Sequence, residues 1–313
     1  MGAVINIHNG DVTLLAAKRI GLPGEHMAFR ESLIAGAVAA KPDLETRARF
    51  LSDAYGANLL KTRTDLMEQE TALTNATKHD EIVLWFEHDL FCLVHFMYLL
   101  QRFARRNVSV VWCPTPLGTK DEESLVKLYA SRSAMTPALT KAAASAWSAY
   151  TSSDPTAINA FLASKVDTPF FREGMALHAS RFPSMRNGVG LVGNRVLTLV
   201  EKGVADFASL FAHFDADPPR LGFGDSELLR ELRLLARASV PLITLSEVNE
   251  GGGPPKALVA LTPAATNVIN GSVDYLALVD PDEWLGGAHI TRESIWRWDE
   301  QLRKLQPSRP RVS

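Results

Sequence analysis

The chain has 313 residues, 46% hydrophobic and 22% charged, a composition that describes a folded globular protein and excludes a disordered one. Its 35 acidic and 33 basic residues leave a net charge of −2, so the chain lacks the basic excess that drives sequence-independent binding to nucleic acid. Two cysteines, Cys92 and Cys113, make neither a disulfide framework nor a four-ligand zinc pattern.

The length predicts two domains. Ala3 to His8 reads as a strand, Asn9-Gly10 breaks it, and Asp11 is placed to cap a helix reaching Ile20 before the Gly21–Gly24 turn. Met27 to Arg30 reads as a short strand, with helices over 43–55 and 61–77. Ile82 to Phe86 is a continuous β-branched and aromatic run, the pattern of a strand buried on both faces, and Val108 to Trp112 repeats it. Between them a helix runs from Asp89 to Arg106; its apolar stretch, Leu90 to Leu100, is too short to span a bilayer. Strands alternating with helices predict an α/β fold over residues 1–118, an open parallel sheet flanked by helices.

After Pro114 and Pro116 the strand signal stops. Helices are expected over 120–129, 137–150, 155–163 and 170–181, a helical connector of residues 119–185. Residues 186–313 read as a mainly helical, winged-helix-like domain: helices over 189–202, 206–214 and 226–238, then strands over 241–245 and 257–261 with a Gly251–Pro255 turn between them. Gly286-Gly287 predicts a tight turn before a terminal helix. No export leader opens the chain and both thiols read as buried, so the expected setting is a reducing cytoplasm with no membrane partner.

In open parallel sheets ligands bind beyond the carboxyl ends of the strands. Two polar clusters fall there, His8-Asn9-Gly10-Asp11 and Glu87-His88-Asp89, each opening a helix whose first turn is placed to hold an anion. Glu87, leaving a buried strand, is desolvated unless paired. His88 has the chemistry of a general base or metal ligand, although no HExxH-type spacing accompanies it, and metal and cofactor stay unassigned. Glu87, His88 and Asp11 are the catalytic candidates; His8, Asn9, Glu25, Arg30 and Asp89 are the ligand-binding ones. The competing reading makes Asp11 and Asp89 helix caps and Arg30 a salt-bridge partner of Glu87 or Asp11. No Gly-x-Gly-x-x-Gly follows the first strand and no P-loop occurs, which disfavours dinucleotide and triphosphate binding.

VINIHNGD at 4–11, RARFL at 47–51, WFEHDLF at 85–91, FPSMRNG at 182–188 and WLGG with WRWD at 284–299 together resemble a bacterial family known only as a domain of unknown function. The resemblance implies an N-terminal α/β domain joined to a helical one, with Asn9, Asp11, Glu25, Arg30, Glu87, His88 and Asp89 at its polar motif positions. GLVGNR, after FPSMRNG, departs from it where relatives are more polar. The leading expectation is an enzyme or ligand-binding protein acting on a small polar or phosphorylated molecule. The rivals are a ligand-sensing regulator with a nucleic-acid-binding winged helix and a non-catalytic partner subunit. Arg230, Arg233 and Arg237 share a face of one helix, but Glu227 and Glu231 interleave with them, so a salt-bridged face is expected there and nucleic acid is disfavoured.

Overall fold

The computed structural model of the chain describes residues 2–165, 168–218, 220–248 and 255–308. The first half contains β1 (Val4–His8), α1 (Asp11–Arg19), β2 (Glu25–Ala28), β3 (Gly36–Ala37), α2 (Leu44–Tyr55), α3 (Leu59–Ala76), β4 (Glu81–Glu87), α4 (Leu90–Arg102) and β5 (Val108–Cys113). Then come α5 (Glu122–Ala130), β6 (Ser133–Ala134), α6 (Pro137–Tyr150), α7 (Thr156–Ala163) and α8 (Pro169–Ser180). The second half contains α9 (Leu191–Glu201), α10 (Phe207–Phe214), α11 (Asp225–Arg237), β7 (Ile243–Val248), β8 (Lys256–Leu261), α12 (Pro263–Ile269), β9 (Glu283–Gly286), β10 (Ala288–Ile290), β11 (Ile295–Asp299) and β12 (Lys304–Ser308).

The main sheet has the order β2-β1-β4-β5-β6, parallel except for the antiparallel edge β6. The IVLWF run makes β4 central: Ile82, Leu84 and Phe86 join the core formed with α4, while Val83 and Trp85 join a smaller cluster with Ala17 of α1 and Leu125 of α5. Helix α4 buries nine of its thirteen residues. A helix apolar on every side must be enclosed, and here α6 and α8 pack on it in the same core as the sheet. Helices α6 and α8, from the segment 119–185 expected as a connector, therefore close the layer over α4.

The second half is less helical than its pattern suggests. Helices α9, α10 and α11 precede the antiparallel β7–β8 hairpin, and the stretch before α10 pairs with β8 through Val259 N–H to the Ala205 carbonyl (2.7 Å). The expected Gly251–Pro255 turn has only Pro255 within the described residues. The terminal helix predicted after Gly286-Gly287 is absent from the described residues; β10, β11 and β12 follow instead. Ile295 and Arg297 share the buried face of β11, Trp298 is buried on the other, and the strand pairs with β12. The parallel β3–β9 ladder, Gly36 opposite Leu285, ties the two halves together.

Buried arginines fasten the irregular segments. Arg47 donates to the carbonyls of Ser32 and Ala35 (2.8 Å each) and pairs with Glu31 (2.8 Å). Arg297 pairs with Asp274 and donates to the Ser184 carbonyl (3.0 Å), while Trp298 N–H donates to the Pro183 carbonyl (2.8 Å). RARFL, FPSMRNG and WRWD are thus tied into the fold by their own polar groups.

Candidate functional site at the carboxyl ends of strands four and five

Strand β4 ends and α4 begins within Glu87-His88-Asp89, so three polar side chains leave one short turn in different directions. Glu87 lies on the Trp85 side of the sheet and accepts the Leu117 N–H. Asp89 is the N-cap of α4, accepting the Cys92 N–H (2.7 Å), as its capping reading required. Above it stands Gly222, at φ 72°, where an added Cβ would overlap the Asp89 carboxylate.

The Glu87 and Asp89 oxygens lie with Cys92 Sγ in a group whose ligand atoms are all within 4.8 Å of one another. Burial raises the pKa of both acids, Asp89 further through the nearby charges of Glu87 and Asp215. Burial, then Asp89 and Glu87, push the Cys92 thiol up as well. Both shifts favour the protonated form of the pair. Asn9 donates to Cys92 Sγ (3.5 Å) and accepts from Thr13 (3.0 Å), so it orients the thiol from β1's loop. Among the described residues, these three are the group with metal-ligand spacing.

His88 turns the other way. Its Nε2 is 3.3 Å from Glu173 of α8, and its ring lies beside Trp112 and Phe170. Gly174 allows this approach, because a Cβ there would overlap Leu93 of α4. His88, Glu173, Asp89, Trp112, Arg195 and Arg220 line a cavity of about 760 Å³ that Leu90, Leu93 and Trp298 help to wall. Arg195 pairs with Asp215 (3.0 Å), and Asp215 also accepts the N–H groups of Leu221 (2.9 Å) and Gly222 (2.6 Å). That loop in turn occupies the start of α4: the carbonyls of Arg220 and Leu221 accept the Leu90 and Phe91 N–H groups (3.0 and 2.9 Å). With Asp89 taking the Cys92 N–H, the first turn of α4 has no open cradle for an anion, contrary to the sequence expectation; cationic side chains face the cavity instead.

The remaining predicted residues lie elsewhere. Asp11 does not cap α1: Gly10 is the N-cap, and Asp11 is bound by both donors of the Arg30 fork on the surface. The hydrogen bond from Arg30 holds the Asp11 carboxyl below its ordinary range. Arg30 borders a separate cleft with Lys18 and His26. Glu25, opposite Ile5 at the amino end of β2, is at the far edge of the sheet and faces His79 (3.5 Å). His8 is fully buried. Its Nε2 is 3.0 Å from His26 Nδ1, and His26 Nε2 is 3.0 Å from the Leu22 carbonyl. A carbonyl only accepts, so His26 carries its proton on Nε2 and His8 donates from Nε2, leaving His8 Nδ1 bare. Burial lowers the His8 pKa to about 3, keeping the ring neutral.

The structure thus groups Asn9, Glu87 and Asp89 around Cys92, sets His88 in the cavity, pairs Asp11 with Arg30 and leaves Glu25 and His8 apart. Glu173, Arg195, Asp215 and Arg220 were not foreseen, since three separate segments supply them. No family model matches the chain, and no curated protein does.

Proposed function

We propose that the protein binds a small anionic molecule, phosphorylated or carboxylated, in the cavity at the carboxyl ends of β4 and β5 and moves a proton to or from it. The observation that carries this reading is the meeting of His88 and Asp89, from one motif, with Arg195 and Arg220 in a single cavity. Glu173 orients the His88 imidazole as a base, and Asp89, whose pKa burial and Glu87 raise, is an acid beside it. An acid and a base side by side in one cavity are the arrangement that acid–base catalysis uses. Arginine forks complement phosphate or carboxylate oxygens. The turn holding these residues is also the most specific piece of the resemblance, and membership in that bacterial family, in a reducing cytoplasm, belongs to the proposal.

The test is a thermal-shift screen of the full chain with inorganic phosphate, sugar phosphates, nucleotides and dicarboxylates, followed by turnover assays of the hits. A hit should lose its shift in Arg220→Ala, and His88→Asn should keep binding while turnover falls by about 100-fold or more, the usual contribution of a general base. A shift unchanged by Arg220→Ala, or no shift with any compound, overturns the reading.

The element order α9-α10-α11-β7-β8, with β8 paired to the stretch before α10, favours a winged-helix architecture for residues 191–261. Nucleic-acid binding stays the second reading because α11 has other commitments. Arg230 pairs with Glu231 (2.6 Å), Arg233 with Glu247 (2.5 Å), and Glu227 accepts from Ser32 of the first half (3.1 Å).

A further inference from the structure

The cavity at His88 is larger than a bare phosphate or a short dicarboxylate needs. Its volume of about 760 Å³ lies in the range of about 300–1,000 Å³ found for sites that enclose a whole small molecule. One part of its wall is aromatic. Trp112, near the end of β5, and Phe170, in the first turn of α8, are half-buried there, with ring centroids 4.7 Å apart. Phe170, Gly174 and Leu177 share one face of α8, so the aromatic wall runs on into an apolar one.

Another part is cationic. Arg220 precedes α4 and Arg303 ends the turn between β11 and β12; neither guanidinium has a hydrogen bond or ion pair among the described residues. Arg195, by contrast, is committed to Asp215. Arg303 has φ 49° and is, among the described residues, the one non-glycine at positive φ. Asp299 fastens its turn by accepting the Gln301 and Leu302 N–H groups (3.0 Å each). Glycine would adopt this left-handed position without strain, so an arginine here keeps its guanidinium at the cavity against a conformational cost. Glu300, exposed and unpaired among the described residues, lines the cavity from the same turn.

We propose, building on the anion-binding reading of this cavity, that its ligand is a nucleoside monophosphate. The base lies against Trp112 and Phe170, Glu300 accepts from the ribose hydroxyls, and Arg220 and Arg303 take the phosphate. Every base has a π-face that stacks on an aromatic ring. An acidic side chain suits ribose hydroxyls, as in dinucleotide folds, and forked cations suit a phosphate dianion. A dicarboxylate would leave the aromatic wall unused, and an uncharged aromatic would leave both arginines unpaired. The first turn of α4 is already occupied and no glycine-rich phosphate loop follows β1, which favours one phosphate over three.

Isothermal titration of the full chain with the four ribonucleoside 5′-monophosphates, their parent nucleosides and ribose 5-phosphate tests the assignment. At least one nucleotide should bind about ten-fold or more tightly than ribose 5-phosphate and than its own nucleoside, the scale of one stacked base. Arg303→Gly should weaken that nucleotide by about ten-fold or more while the melting temperature holds or rises, because glycine takes φ 49° without strain. Trp112→Leu should shrink the margin over ribose 5-phosphate to less than about three-fold. Ribose 5-phosphate or a nucleoside binding as tightly as the nucleotide, or nucleotide affinity untouched by Arg303→Gly or by Trp112→Leu, overturns the assignment. No affinity for any phosphate compound overturns it as well, and the anion-binding reading falls with it only if the dicarboxylates also fail.

Discussion

The half-buried Glu283 and the fully buried His8 are shifted to opposite effect, and each makes stability depend on pH with its own sign. Unfolding returns Glu283 to an ordinary carboxyl pKa near 4.5 from about 7 in the fold, where burial and Glu231 raise it. The unfolded chain therefore ionises first, and stability is lost as pH rises from 4.5 through 7. Glu283→Gln removes that penalty: the variant should be more stable by about 1–3 kcal/mol at pH 8 and nearly unchanged at pH 4, read from urea midpoints. A gain of equal size at both pH values would show that charge on Glu283 is not the cause. His8 and His95, held down to about 3 by burial, and His178, also lowered by burial, are bases with depressed folded pKa values. Their unfolded forms take up protons below about 6.5, so stability is lost as pH falls from 6.5 toward 3. Between 4.5 and 7 the raised acids offset this loss; below 4.5 the offset ends. The urea midpoint should accordingly fall more steeply between pH 4.5 and 3.5 than between 6.5 and 5.5, and a flat profile would count against neutral histidines in the core.

Among the elements, the loop over α4 depends on one backbone conformation. Gly222 sits at φ 72° with no room for a Cβ above Asp89. Gly222→Ala combines left-handed strain with displacement of the Asp89 cap and should cost about 2–4 kcal/mol in chemical denaturation. A loss under about 0.5 kcal/mol would mean that the loop is free to move off the cap. Elements with a continuous or periodic pattern were legible: β1 from alternation, β4 and β5 from continuous apolar runs, and α4 from its apolar run and the cap at Asp89. The two-residue strands β3 and β6 carry no period at all, and β9 to β12 exist through pairing with partners their own sequence does not name. The site divides in the same way. Glu87, His88 and Asp89 were visible because a strand-to-helix turn is local, whereas Glu173 reaches His88 only through the packing of α8 on α4 that Gly174 permits.

For the molecule as a whole, the charge balance and the placement of α11 act together. With a net charge of −2, and with Arg230 and Arg233 already paired, phosphate contacts would have to break existing ion pairs. Fluorescence anisotropy with random-sequence duplex DNA at about 0.15 M salt should show no binding below about 10 μM. Submicromolar affinity with a steep salt slope, lost in Arg230→Ala/Arg233→Ala, would promote the regulatory reading.

No helix among the described residues is long and apolar enough to cross a membrane, and strand pairings within the chain close part of its apolar core. One of them joins the earliest and latest parts of the sequence: Gly36 pairs with Leu285, Val38 N–H reaches the Gly286 carbonyl (2.9 Å), and Gly287 N–H reaches that of Tyr150 (2.9 Å). A nascent chain growing at about 5–20 residues per second has β3 finished about 12–50 s before β9 leaves the ribosome. During that interval the strand edge at Gly36 and the Tyr150 carbonyl face water or a chaperone. Vectorial synthesis thus leaves the first half complete in sequence but unsealed, and the last strands act as a delayed clasp whose arrival closes it.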